Sequence, residues 1–342
     1  MNHSMKDMKK LFALLLFIFL LSLKSFACLN YYYSLNRAGK LVVINDWETP
    51  FNTNFNPELN VTKLKKLEAR LKKEKNYMLL SDYSVCLLKL GKTKEALEIL
   101  KHLYTHYPND YKLAANLGTA YELNGQADSA LKYIKRDMQL NPNDHEGSEW
   151  VHVKVLETKL SLQKDPAYLN SHTVLQLDEK RKHDSATLQQ LYIQICERFP
   201  FTPGPDVIMA SLFTDLGDIM ANIKSIEYAK AYYQISKNYY GNKSPVIDEK
   251  IKEMGKLINK YTSVQPEYVK PTESVGMRHK LGGVAYKTLL DDNNRGYTVN
   301  WAKINTNTSS LLAMVDFTMT EEQTKKSTDK QNDGLKLIQE QK

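Results

Sequence analysis

Residues 77–110 align with residues 111–144 without a gap, and this 34-residue self-similarity limits the fold more than any other feature of the chain. Gly91 falls on Gly125, Ala96 on Ala130, Leu97 on Leu131, and Pro108-Asn109-Asp110 on Pro142-Asn143-Asp144. In each unit, apolar residues recur at helical spacing on both sides of a Gly-containing turn, Leu90-Gly91-Lys92 and Asn124-Gly125-Gln126. This is the pattern of two amphipathic helices joined by a tight turn. The closing Pro-Asn-Asp stops one helix and offers a side chain to cap the next. One helix pair cannot bury its own apolar face, so units of this kind stack, and at least about three are expected. Only 14 glycines and 11 prolines in 342 residues argue against a barrel or sandwich with many tight turns.

On these residues the chain resembles the tetratricopeptide repeat family. That motif places large apolar residues at its fourth and seventh positions, a small one at the eighth and an aromatic at the eleventh. Alanine follows at the twentieth, a bulky apolar residue at the twenty-fourth, a small one at the twenty-seventh and proline at the thirty-second. The second copy supplies Leu117, Gly118, Tyr121, Ala130, Ile134 and Pro142, with Ala114 at the fourth position. The first supplies Leu80, Tyr83, Ser84, Ala96, Leu100 and Pro108, with Leu87 in place of the aromatic. Both depart at the twenty-seventh position, where Leu103 and Asp137 stand. The resemblance implies an all-α solenoid of antiparallel helix pairs, with Gly118 and Ala130 letting two helices approach while Leu117, Tyr121 and Ile134 fill the space around them.

A degenerate third copy fits residues 210–243, with Phe213, Leu216, Gly217 and Met220 on its first helix and Ala229 and Tyr233 on its second. Pro245 opens a terminal helix near Val246–Tyr261, and Val61–Lys75 reads as a lysine-rich helix leading into the first copy. Between the copies, His145–Leu162 reads as one long helix behind a capping Asp144, residues 166–184 as irregular, and Ala186–Arg198 as a helix capped by Ser185. The helical domain is thus expected over 60–262. Residues 28–59 read as a short β-hairpin with its turn at Arg37-Ala38-Gly39-Lys40, expected to dock on the first helices. Residues 263–342 read as a linker and a largely disordered tail, in which Tyr297, Val299 and Trp301 alternate as in an edge strand.

Residues 1–27 read as a signal peptide. Lys9 and Lys10 precede an apolar run from Leu11 to Leu21, and Ser25 and Ala27 suit the −3 and −1 positions of a cleavage site. Export to a bacterial periplasm or cell envelope is expected. Cleavage after Ala27 would leave Cys28 first, as in lipoproteins whose leading cysteine is acylated and attached to a membrane. Ser25 and Phe26 depart from the lipobox, so the sequence favours ordinary cleavage, with lipidation of Cys28 as the alternative. Cys86 and Cys196 lie in apolar helical patterns and read as core thiols. Of the net charge of +8, the leader carries +3; the +5 left is too dilute for nucleic-acid binding.

No catalytic motif is present: the chain lacks GxSxG, HExxH, paired CxxC and phosphate-binding glycine loops. His145, Glu149 and His152 would share one helix face, which suits either zinc or a solvated surface, and the second is favoured. No catalytic residue, metal or cofactor is therefore expected. The Lys63–Lys75 run reads as a solvated face, and the tyrosines at 228, 232, 233, 239 and 240 read as packing between repeats.

In the family, positions two, five, nine and twelve of the first helix line a partner groove. Carried over, these are Met78, Ser81, Val85 and Leu88, then Lys112, Ala115, Thr119 and Glu122. The lysine and asparagine that grip chaperone carboxylates in some relatives are replaced at the corresponding positions by Ser81 and Val85, Ala115 and Thr119, and Thr214 and Asp218. The expectation is a non-enzymatic envelope scaffold that binds a peptide or protein. The alternative is a glycan- or nutrient-binding envelope lipoprotein built on similar repeats. On this reading, Lys112→Ala and Glu122→Ala weaken partner binding and leave the melting temperature unchanged.

Overall fold

The left-handed backbone at Gly91 (φ +77°) and Gly125 (φ +76°) closes the turn of each repeat, a conformation that costs glycine nothing. Around these turns the chain folds into consecutive helices, and the computed structural model describes residues 32–44, 57–264 and 307–324. The leader 1–27, Cys28, the alternating stretch 297–301 and the end of the chain from 325 lie outside the described residues.

The hairpin pairs β1 (Tyr32–Leu35) with β2 (Leu41–Ile44) in antiparallel register, Leu35 opposite Leu41. The solenoid begins with α1 (Pro57–Glu74), α2 (Tyr77–Lys89), α3 (Thr93–His106), α4 (Tyr111–Leu123) and α5 (Ala127–Leu140). It continues with α6 (Glu149–Lys164), α7 (Ser185–Arg198), α8 (Val207–Ile223), α9 (Ile226–Gln234) and α10 (Pro245–Val264). Successive helices pack as antiparallel neighbours, which is the tetratricopeptide-type architecture. No helix among the described residues is long and apolar enough to cross a membrane.

Among the described residues, two large apolar cores result. One joins α1 to α4 through Leu71, Leu80, Leu87, Ile99 and Leu103; the other joins α6 to α10 through Val155, Leu191, Phe213, Tyr232 and Tyr233. A small cluster, Ala130, Ile134 and Leu156, lies between them. Close approach explains the small residues: a Cβ on Gly118 would sit 2.6 Å from Ile134, and one on Gly217 would sit 2.4 Å from the ring of Tyr233.

Three local expectations are corrected. The helix expected from His145 begins at Glu149, because residues 144–147 form a 3-10 turn with left-handed His145 (φ 45°) and Glu146 (φ 58°). The cap of α7 is Asp184, whose carboxylate accepts from the amides of Ala186 and Thr187, while Ser185 is the first helical residue. The hairpin docks on the far end of the solenoid. The Arg37 amide donates to the Ala221 carbonyl at 2.7 Å, Ser34 donates to Ser225 at 2.7 Å, and the Tyr261 hydroxyl donates to the Arg37 carbonyl at 3.0 Å.

The other end is covered from the opposite direction. Within the stretch read as linker and tail, α11 (Thr308–Leu312) and the residues after it lie on α1 to α3. Leu311 and Val315 are buried in the first core, Phe317 packs against His102, His106 and Tyr107, and the Asp316 amide donates to the Lys75 carbonyl at 2.9 Å. A stacked helix array leaves an apolar face at each end. Here the amino-terminal hairpin covers the last helices and a carboxy-terminal strap covers the first.

Candidate functional site

The first helices of the two clear repeats turn one side toward the third helix pair. Val85 and Leu88 of α2 and Ala115, Thr119 and Glu122 of α4 face α6, α7 and the loop around Phe201 across a cavity of about 480 Å³. The walls nearest α2 are apolar. The opposite wall is charged, and it lies at the junction of the two cores.

Glu122 is at the centre of that wall and is only 7% exposed. One carboxylate oxygen accepts from the Arg198 guanidinium at 2.8 Å and from the Lys159 ammonium at 2.7 Å; the other pairs with His152 Nε2 at 2.7 Å. Burial alone would raise this carboxyl, but Arg198, then His152 and Lys159, hold it well below the ordinary carboxylate range. His152 carries the network onward, with Nδ1 3.1 Å from Glu149. Glu149 is also held by Gln194 Nε2 at 3.1 Å and by His145 Nδ1 at 2.7 Å. Its burial is likewise outweighed by these partners, so it stays ionised, while the Glu149 contact pushes His145 up to about 9. Glu122, His152 and Arg198 thus join α4, α6 and α7 through one buried charged chain.

The same tripeptide behaves differently at the two repeat boundaries. Asp110 caps α4, accepting from the amides of Lys112 and Leu113, and takes a hydrogen bond from the Tyr77 hydroxyl at 2.6 Å. Asp144, expected to cap the following helix in the same way, caps none. The left-handed turn delays α6 to Glu149, and the Asp144 carboxylate lies 3.3 Å from His145 Nδ1 instead. Asp137, at the twenty-seventh position of the second copy, is fully buried, and neither of its carboxylate oxygens has a hydrogen-bond partner.

Of the groove residues read from the sequence, Val85, Leu88, Ala115, Thr119 and Glu122 line the cavity. Met78 packs on the first core, Ser81 is buried and accepts from Asn116 Nδ2 at 3.0 Å, and Lys112 is exposed, with its ammonium over the ring of Tyr111. The side chain of Glu122 is committed to the ion pairs, so it is not a free groove carboxylate. Nor do Glu149 and His152 lie on a solvated face: both are buried, and only His145 is exposed. Lys159, Gln194 and Arg198 were missed. For Arg198 a signal existed, because it continues the apolar spacing Leu188, Leu191, Ile195 and therefore had to be buried and paired.

Residues 87–148 match the family described as Tetratricopeptide repeat. No curated protein and no solved structure matches the chain.

Proposed function

The chain carries tetratricopeptide repeats, and from that premise we propose that it is a non-enzymatic scaffold whose cavity between α2, α4 and α7 binds a peptide or protein segment. Repeats of this family commonly serve in protein–protein interaction. The observation that supports the reading here is the cavity itself: its apolar side is built from first-helix residues Val85, Leu88, Ala115 and Thr119, and it has room for a few side chains. Its partner is an extended or helical segment with an apolar side facing α2 and polar groups facing the charged wall. The leader pattern of residues 1–27 supports placing this scaffold in a bacterial cell envelope, with a mature chain beginning at Cys28.

The test uses a photo-cross-linking residue at Thr119 in living cells, followed by identification of what it captures. Val85→Arg fills the cavity from its half-buried rim. The expected result is loss of the captured partner with an unchanged melting temperature, while Lys101→Glu, exposed on α3 away from the cavity, leaves capture intact. Equal capture by Val85→Arg and wild type would refute the groove.

A further inference from the structure

We propose that Asp144, His145 and Glu149, near the buried carboxyl of Asp137, form a binding site for a divalent transition ion of the zinc class. One ligand atom from each of the first three lies within 4.8 Å of the others. His145 Nδ1 stands 2.7 Å from a Glu149 oxygen and 3.3 Å from an Asp144 oxygen. In the metal-free protein a proton on Nδ1 serves both carboxylates. A bound ion takes that proton's place: the proton goes to solvent, the Nδ1 lone pair goes to the metal, and Nε2 keeps its hydrogen.

Asp137 is the independent observation. Its carboxyl is fully buried, and both oxygens lack a hydrogen-bond donor, an arrangement that is rare and costly. It stands in the last turn of α5, close enough to Asp144 and Glu149 for their charges to push it up further once burial has raised it. It also occupies the position where the repeat wants a small residue. A cation held by Asp144, His145 and Glu149 offsets this surplus of carboxylates.

The donor set decides the class of ion. One imidazole nitrogen with carboxylate oxygens suits zinc better than magnesium or calcium, which take oxygen ligands. The ligands are held in place from behind: the other oxygen of Glu149 is fixed by His152 Nδ1, and His152 Nε2 is fixed by Glu122. His152 is therefore a support and not a ligand, since both of its nitrogens are engaged. The set differs from the His145, Glu149 and His152 face considered from the sequence. His145 and Glu149 also line the cavity, so the ion is reachable from it. The site does not depend on what occupies the groove.

The experiment titrates chelator-stripped mature chain with zinc, both by calorimetry and against a chromophoric chelator, and follows the melting temperature. Wild type is expected to bind one equivalent at this site and to melt higher with zinc. His145→Ala, at an exposed side chain, and the near-isosteric Asp144→Asn should each weaken this binding at least about 10-fold. Circular dichroism checks that both variants fold. His102 and His106, one helical turn apart on the exposed side of α3 with ring centroids 4.8 Å apart, are the obvious adventitious zinc ligands. The double variant His102→Ala/His106→Ala should keep the stoichiometric zinc. The proposal is overturned if wild type binds no stoichiometric zinc, if the zinc is lost with His102 and His106, or if it survives His145→Ala or Asp144→Asn.

Discussion

Glu122→Ala should destabilise this protein severely, whatever it does to a partner. The carboxylate is 7% exposed and is contacted by Arg198, 9% exposed, by His152, 6% exposed, and by Lys159. Removing it leaves the Arg198 guanidinium buried without its counter-charge and His152 Nε2 without its hydrogen-bond partner, while the Lys159 ammonium can turn to solvent. Breaking one side of a buried pair in this way costs about 3–5 kcal/mol. At roughly 2–4 °C per kcal/mol for a domain of this size, the melting temperature should fall by about 6–20 °C at pH 7. Removing the Arg198 charge as well, in Glu122→Leu with Arg198→Met, should recover much of that loss, because no buried guanidinium is then left unpaired. Because Glu122 is held below its ordinary value of 4.5, its contribution is present above that pH and fades as the pH falls toward its lower folded value. The melting curves of wild type and Glu122→Ala should therefore converge only in strong acid. Thermal unfolding followed by circular dichroism measures this. A drop of less than about 2 °C at pH 7 would show that Glu122 is a surface groove carboxylate after all, since exposed pairs contribute about 0–1 kcal/mol.

Four further outcomes are expected. Gly217→Ala should destabilise by about 1–3 kcal/mol in urea, because its Cβ meets the fully buried Tyr233 ring at 2.4 Å. Tyr77→Phe should cost about 1.5–3 kcal/mol by the same assay, because it removes the buried hydrogen bond to the charged cap Asp110. Phe317→Ala should release the carboxy-terminal strap, read as faster proteolysis within 307–324 while the helical signal is retained. Asp137→Asn should raise the melting temperature in chelator at pH 7: burial pushes the Asp137 carboxyl up to about 8, so wild-type stability falls as pH rises from about 4 to 8, and the variant's curve should be flatter over that range.

The repeat was legible because its chemistry is local. The spacing of Leu80, Tyr83 and Leu87, the left-handed glycines at 91 and 125 and the small Gly118 each follow from contacts within one helix pair, so one unit's sequence states its own shape. Val85, Leu88, Ala115 and Thr119 could be placed for the same reason, since positions on a helix face follow from the period. The site's charged wall was only partly legible: spacing puts Glu149 and His152 on one helix face, but Glu122 and Arg198 come from two other helices, Arg198 beyond a long irregular connection, and no spacing rule relates them to that face. Nor could the sequence say that the hairpin covers α8 to α10 while the strap covers α1 to α3; each end offers an apolar face, and only the assembled solenoid decides which segment reaches which. The two Pro-Asn-Asp boundaries make the division sharpest. Local chemistry makes Asp110 and Asp144 equivalent caps. In the fold, three successive left-handed residues shift α6 onward to Glu149, so Asp110 caps a helix and Asp144 faces His145. Sequence determines which residues are able to cap, bury or pair; tertiary contact determines which of those options each one takes, because a buried charge must find its partner wherever the packed helices put it.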